Sequence, residues 1–142
     1  MISWINGGTI PPDIIVTSDR PDIVLVDREK KELILAELTC PFEPYIDSAN
    51  ARKTEKYSSL KSDIDLSGYK CQLICFEIGS RGLVTRNNKK KLAEITRFAK
   101  NGGKMKMKCH YQQISKLAVL TSYSIYNARR EPEWFSPVLL KP

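Results

Sequence analysis

Asp22-Ile23-Val24-Leu25-Val26-Asp27 and, a few residues on, Leu33-Ile34-Leu35-Ala36-Glu37-Leu38-Thr39 are the runs whose reading decides the fold. Both are rich in β-branched and other apolar residues. The charged interval between them, Arg28-Glu29-Lys30-Lys31-Glu32, is too short for a helix and suits the tip of a hairpin. With the turn centred on Glu29-Lys30, Val26 faces Leu33, Val24 faces Leu35 and Asp22 faces Glu37. Directly opposed residues have Cβ atoms about 4.5–5.5 Å apart. One face then carries Val24, Val26, Leu33, Leu35 and the two acids, and the other carries Ile23, Leu25, Ile34, Ala36 and Leu38. A ribbon that is apolar on both sides needs cover on both, which predicts an α/β domain: a central mixed β-sheet with helices on both faces.

Towards the N-terminus, the segment through Pro11-Pro12 is expected to be irregular, because neither proline can donate to a ladder. A short strand over 14–16 and a turn at Ser18-Asp19-Arg20-Pro21 follow. Past the hairpin, Cys40-Pro41-Phe42-Glu43-Pro44 ends the second strand, and an amphipathic helix is predicted over 46–64. Its seam holds Ile46, Tyr57, Leu60 and Ile64, with Asn50 and Lys53 at seam spacing and Lys56 one turn from Lys53. Ser67-Gly68 breaks that helix, and a buried strand over 71–78, with Cys71 and Cys75 on one face, leads to Gly79-Ser80-Arg81-Gly82. A helix over 89–100 places Leu92, Ile95 and Ala99 inward and its lysines outward, closed by Gly102-Gly103. A longer one over 106–128 carries the stripe Met107, Tyr111, Ile114, Ala118, Thr121 and Ile125, and Pro132 and Pro137 mark an irregular end. With 142 residues and no repeat or linker, a single domain is expected.

No apolar run approaches the roughly 18 residues of a membrane span, and the first residues lack a basic segment leading into an apolar one, so a soluble intracellular protein is expected. Cys40, Cys71, Cys75 and Cys109 match no zinc spacing and read as free thiols; Cys109-His110 offers two donors, too few for a metal site. The formal charge of +7 is concentrated: Arg86, Lys89, Lys90, Lys91, Arg97, Lys100, Lys104, Lys106 and Lys108 stand against one acid, Glu94. Such a patch suits a polyanion, whose released counterions favour binding.

Asp22 and Glu37 carry the chemistry. Two carboxylates on an apolar strand face repel, and a divalent cation removes that conflict. Hard oxygen donors suit Mg²⁺, which takes one or two carboxylates and completes its shell with water and phosphate oxygens. The spacing also allows a plainer arrangement, in which Asp22 ends a strand and caps the proline turn while Glu37 faces solvent at a sheet edge. Glu77 is a secondary site residue, or a structural acid paired with Arg81 or a lysine. Asp13 and Asp19 are turn residues or additional ligands.

Arg20-Pro21-Asp22 followed by Glu37-Leu38-Thr39 resembles the Pro-Asp and Glu-x-Lys elements of the PD-(D/E)XK, or restriction-like, endonuclease superfamily. More specifically, the chain resembles nuclease-like domains of animal retroelement open reading frames, through Arg-Pro-Asp-Ile-Val-Leu (20–25), Glu-Leu-Thr-Cys-Pro-Phe-Glu (37–43), Ala-Arg-Lys-Thr-Glu-Lys-Tyr (51–57), Glu-Ile-Gly-Ser-Arg-Gly (77–82) and the stretch near Glu133-Trp134. The resemblance implies a restriction-endonuclease-like core and metal-dependent hydrolysis of DNA phosphodiester bonds. It implies Asp22, Glu37 and the Leu38 carbonyl as ligands of Mg²⁺, with Mn²⁺ as substitute. The superfamily's lysine is replaced by Thr39, which can contribute only a hydrogen bond, and Lys53 or Lys56 from the next helix then assists the water. Arg52, Arg81, Lys89, Lys90, Lys91, Lys104 and Lys106 would hold nucleic acid by its backbone. Nuclear location and a partner reverse transcriptase, or another domain of the mobile element, follow from the resemblance alone. The superfamily core is often preceded by a helix, and nothing before Pro11 reads as one. A binding module that kept the fold but lost cleavage, and a structural domain of a polyprotein, remain open as alternatives.

Overall fold

The computed structural model describes residues 2–6, 8–100 and 107–130, without side-chain detail at 2–6, 99–100 and 107–110. The hairpin is β2 (Ile23–Asp27) and β3 (Glu32–Thr39), antiparallel, with Val24 opposite Leu35 and Val26 opposite Leu33. The register is the one expected with the turn centred on Glu29-Lys30. The tip, residues 28–31, is closed by Asp27, whose Oδ1 accepts hydrogen bonds from the main-chain N–H groups of Glu29 and Lys30, both at 3.1 Å.

Two strands extend the hairpin into a sheet of order β1-β2-β3-β4. Strand β4 (Lys70–Glu77) runs parallel to β3, with Glu37 beside Cys75 and Thr39 beside Glu77. Strand β1 (Ile2–Asn6) runs antiparallel to β2. It corrects the expectation of an irregular N-terminal segment: the two prolines lie beyond the strand and do not interrupt its ladder. The expected strand over 14–16 is absent. Pro11 instead accepts bonds from the N–H groups of Ile14 and Ile15, which folds this segment into a turn and sends Ile10 and Ile14 into the core.

Helix α1 (Ile46–Leu66) covers one face. Tyr57, Leu60 and Ile64 pack on Val24, Val26, Leu33, Leu35 and Cys71, and each fully buried aliphatic side chain there contributes about 1.5–3 kcal/mol. Leu60→Ala would cost about 2–5 kcal/mol. Cys71 and Cys75 are both buried free thiols; burial pushes the Cys71 thiol up to about 12. Helix α2 (Arg86–Lys100) covers the other face, with Ile95, Leu92 and Phe98 on Leu25, Ile34, Ala36, Ile74 and Phe76. The layers are those expected of a mixed sheet with helices on both faces.

Among the described residues β4 is an edge strand, and side chains close its edge. Asn88 Nδ2 donates to the Glu77 carbonyl at 2.7 Å, and Asn88 Oδ1 accepts from the Glu77 N–H at 3.3 Å, so one buried amide stands in for a neighbouring strand. The Cys75 carbonyl accepts from Asn50 Nδ2 at 3.0 Å and from Lys91 Nζ at 2.6 Å. An edge closed in this way offers little to a pairing strand.

Helix α3 (Met107–Ala128) lies against the loops rather than the sheet. Ser115 Oγ donates to the Gly82 carbonyl and Tyr111 Oη to the Lys89 carbonyl. Between α3 and the ends of β3 and β4 runs an apolar groove of about 340 Å³, lined by Leu38, Cys40, Ile78, Ile114, Ala118 and Ile125. The expected stripe on this helix is therefore only half-covered, and Thr121 is exposed.

Candidate functional site

The two carboxylates chosen from the sequence are joined to each other through the main chain. Asp22 lies one residue before β2 and opposite Glu37 in the continued register. Its N–H donates to Glu37 Oε2 at 3.0 Å, while the Leu38 N–H donates to Asp22 Oδ2 at 2.9 Å. Each acid thus holds the other's strand. Glu37 is 4% exposed on an inner strand, which overturns the arrangement with this residue in solvent at an edge; Asp22 is exposed. In an extended strand the N–H and C=O of one residue point the same way, so the Leu38 carbonyl faces the Asp22 side. Its side chain points away, into the apolar groove.

Helix α1 brings the cation. Lys53 Nζ is 2.5 Å from Glu37 Oε1, with the lysine side chain 24% exposed. Seam spacing placed Lys53 here, and the buried acid beneath it is the physical reason the ammonium turns inward. Lys56 is exposed and reaches back to Tyr57 Oη at 3.1 Å, and this bond holds its ammonium above the ordinary range, with smaller contributions from Glu37 and Asp19. Of the two expected lysines, only Lys53 touches a carboxylate.

Tyr57 lies in the core, as its seam position predicts, and does more. It is 1% exposed, and its hydroxyl, with one proton to give, lies 3.3 Å from Glu37 Oε1 and 3.4 Å from the Arg20 carbonyl. A tyrosine four residues after Lys53 on the same helix face is the signal that was available. Gly8 supports the pair from behind. Its φ is +69°, and a Cβ there would lie 1.8 Å from the Pro21 carbonyl oxygen, so only glycine lets the N-terminal loop press on the Pro21-Asp22 turn.

Beside this pair, on the same face, Glu77 forms a second buried group. It is 2% exposed, receives Asn50 Nδ2 at Oε1 (2.9 Å), and has Lys91 Nζ at 4.0 Å from Oε2. Burial pushes its carboxyl above the ordinary range, against the opposing pull of Asn50 and Lys91. Glu77, Asp47, Asn50, Asn87, Asn88 and Lys91 line a polar cleft of about 340 Å³.

Other expected residues are dispersed. Lys91 is turned inward onto Cys75 and Glu77, which corrects its assignment to an outward nucleic-acid surface: the Cys75 carbonyl and the Glu77 carboxylate draw it over the sheet edge. Arg81 is 71% exposed but pairs with Glu43, not Glu77. Glu43 accepts from Arg81 Nε at 2.9 Å and from its main-chain N–H at 2.8 Å, packed so closely over Gly79 that a Cβ there would meet Glu43 Oε1 at 2.6 Å. Asp13 is removed from the site by Arg28 at the hairpin tip, whose guanidinium holds its carboxyl below the usual range. Asp19 is a turn residue whose N–H bonds Thr17. Arg52, Lys89 and Lys90 are exposed. Lys104, Lys106, Gly102-Gly103 and Glu133-Trp134 lie outside the described residues, as do the side chains of Ala99, Lys100, Met107, Lys108, Cys109 and His110.

Among the described residues no group of three or more Asp, Glu, His or Cys side chains could hold a metal ion. A cation at this site would rest on two carboxylates and a main-chain oxygen, an all-oxygen set of the kind Mg²⁺ takes with retained waters. Among the described residues no helix is long and apolar enough to cross a membrane. Compared with protein families, with curated proteins and with solved structures, the chain matches none.

Proposed function

We propose that this domain is a metal-dependent endonuclease of the PD-(D/E)XK type that hydrolyses DNA phosphodiester bonds. One observation carries the reading: Asp22 and Glu37 are interlocked at adjoining strand positions with Lys53 on Glu37, so that two carboxylates and an ammonium meet at one end of the sheet. Asp22, Glu37 and the Leu38 carbonyl would hold Mg²⁺, or Mn²⁺ in its place. A divalent ion bound there supplies a more acidic water and offsets the charge that develops on the phosphate.

The chain's own residues do the rest. The oxygen of a water forms a bond to phosphorus as the bond to the leaving sugar oxygen breaks, and the water's proton ends on that leaving oxygen. Lys53, held at the edge of the acid pair, is placed to orient the water or to balance charge in the transition state. Tyr57 and the Asp22 N–H fix the Glu37 carboxylate, which lowers the reorganisation needed during the reaction. Exposed Arg52, Lys89 and Lys90 offer contacts to the DNA backbone, which position a duplex without reading its sequence. Linkage to a mobile element, a nuclear site of action and a partner reverse transcriptase belong to the same proposal.

A second reading is a nucleic-acid-binding module of the same fold without cleavage. Thr39 favours it, since a hydroxyl supplies no positive charge where the superfamily has lysine.

Nicking of supercoiled plasmid with Mg²⁺ or Mn²⁺ decides between the two. Wild-type protein is compared with Asp22→Ala, Glu37→Ala and Lys53→Ala, with folding checked by circular dichroism. Metal-dependent nicking that both carboxylate variants lose supports the endonuclease. Salt-sensitive DNA binding without nicking, unchanged by metal, supports the binding module. Neither binding nor nicking leaves a structural role in a larger polyprotein.

A further inference from the structure

Leu117, Leu120, Tyr123 and Tyr126 recur at every third residue of α3 and form one ridge on its surface. They are 50–64% exposed, and with Val119 they make up five of the eleven large apolar side chains left uncovered among the described residues. Val16 and Leu66 are more exposed, but they stand apart on other segments, and single exposures of that kind are ordinary. Four neighbours in one row are not. The side of α3 that carries Ile114, Ala118 and Ile125 is turned to the apolar groove at the ends of β3 and β4, so the helix is apolar on two sides. A helix of that kind is normally covered on both.

The charges around the ridge favour one occupant. Residues 117–128 carry none, while Lys116 precedes them and Arg129 and Arg130 follow. A polyanion gains from lysine and arginine, so an uncharged row of leucine and tyrosine is not built for it. An isologous contact sets a surface against itself, which a chain of charge +7 tolerates only where the face is free of like charge. The order of the ridge is also self-complementary. Laid antiparallel on a second copy, Leu117 of one chain meets Tyr126 of the other and Leu120 meets Tyr123, an aliphatic side chain on an aromatic ring each time, with the tyrosine hydroxyls free to reach water at the rim. The Arg130 guanidinium lies 5.6 Å from the centre of the Tyr126 ring and marks the polar margin of the patch. The four side chains leave roughly 500 Å² uncovered on each copy, so their mutual cover removes about 1,000 Å² from water, the size at which a specific interface begins.

We infer that the outward ridge of α3 is a docking surface for a second copy of this chain, with Leu117, Leu120, Tyr123 and Tyr126 of each copy packed antiparallel on those of the other. The inference does not depend on the endonuclease reading and holds whether or not the domain cleaves DNA. The contact itself is apolar, whereas the rest of the two chains repel through their net charge. Added salt screens that repulsion and leaves the contact intact, so the pair tightens as salt rises. Binding to DNA responds in the opposite direction.

Sedimentation equilibrium of nucleic-acid-free protein, over about 1–300 µM, compares the wild-type chain with Leu120→Glu, Tyr123→Glu and, at the far end of α1, Leu66→Glu. The wild-type chain is expected to pass from monomer to dimer with a Kd on the order of 1–100 µM, as suits a small contact, and to associate a few-fold more tightly as salt rises from about 0.15 to 0.5 M. Leu120→Glu and Tyr123→Glu should each weaken association by about 30-fold or more, with Tm within about 2 °C of wild type because both positions are on the surface. Leu66→Glu should associate as wild type does. A wild-type chain that stays monomeric across the range overturns the inference and leaves the ridge to a different chain. Association that both ridge variants retain overturns it as well, since the contact then lies elsewhere. So does a dimer that loosens with added salt, which would be held by charge and not by this face.

Discussion

Replacing Lys53 by methionine removes the ammonium and keeps most of the apolar stem, so it isolates the charge placed 2.5 Å from Glu37. Glu37 is 4% exposed and would retain only the Asp22 N–H and the longer contact from Tyr57. Removing one partner of a fully buried ion pair costs about 3–5 kcal/mol, because the remaining charge is left desolvated. Lys53 is 24% exposed, and water screens part of the interaction, so the loss here is placed at about 2–3 kcal/mol. For a domain of this size that is a fall in Tm of about 7–10 °C. Thermal unfolding of wild type, Lys53→Met, Glu37→Gln and the double variant gives the coupling directly, expected at about 1–2 kcal/mol. A divalent ion held by the carboxylates should restore part of the loss: at ten times its Kd it adds about 1.4 kcal/mol. That gain should be larger in Lys53→Met than in wild type, because the cation then meets an uncompensated carboxylate. A Lys53→Met chain within about 0.5 kcal/mol of wild type, or additive behaviour in the cycle, would refute the view that this pair is the electrostatic centre of the site.

Three further perturbations test the surroundings. Glu77 has its carboxyl raised by burial, so its contribution to stability is complete below the unfolded value near 4.5 and is lost as pH rises through the higher folded value; the difference in Tm between Glu77→Gln and wild type should therefore grow more positive from pH 4.5 to pH 8, and a flat difference contradicts the burial argument. Asn88→Ala leaves the Glu77 N–H and C=O without their partner at the β4 edge, for a loss of roughly 2–4 kcal/mol and concentration-dependent association by light scattering as the edge opens. Gly8→Ala places a methyl against the Pro21 carbonyl at a φ of +69°, and should cost about 3 kcal/mol or more with loss of nicking; unchanged stability would mean the loop does not brace the Asp22 turn.

Much of this protein was legible in its chain because the signals are local or periodic. Two apolar runs, 22–27 and 33–39, separated by five charged residues gave the hairpin, and the tightest turn between them gave its register and the apposition of Asp22 and Glu37, since loop length fixes which residues face each other. The seam of α1 placed Lys53 over that pair by its helical spacing. What tertiary structure alone decided are the contacts between elements distant in the chain. No pattern in 2–6 announces that it will pair with β2, because an edge strand is recruited by the ladder it meets. Lys91 reads as one of a run of solvated lysines, and only in the fold do the Cys75 carbonyl at the β4 edge and the Glu77 carboxylate draw it inward. Asn88 and Asn50 look like ordinary helix residues until that same edge gives them polar groups to satisfy. Thr39 reads as a missing charge in the sequence. In the fold it is a buried hydroxyl without a hydrogen-bond partner among the described residues, because whether a polar atom is satisfied depends on every element that surrounds it.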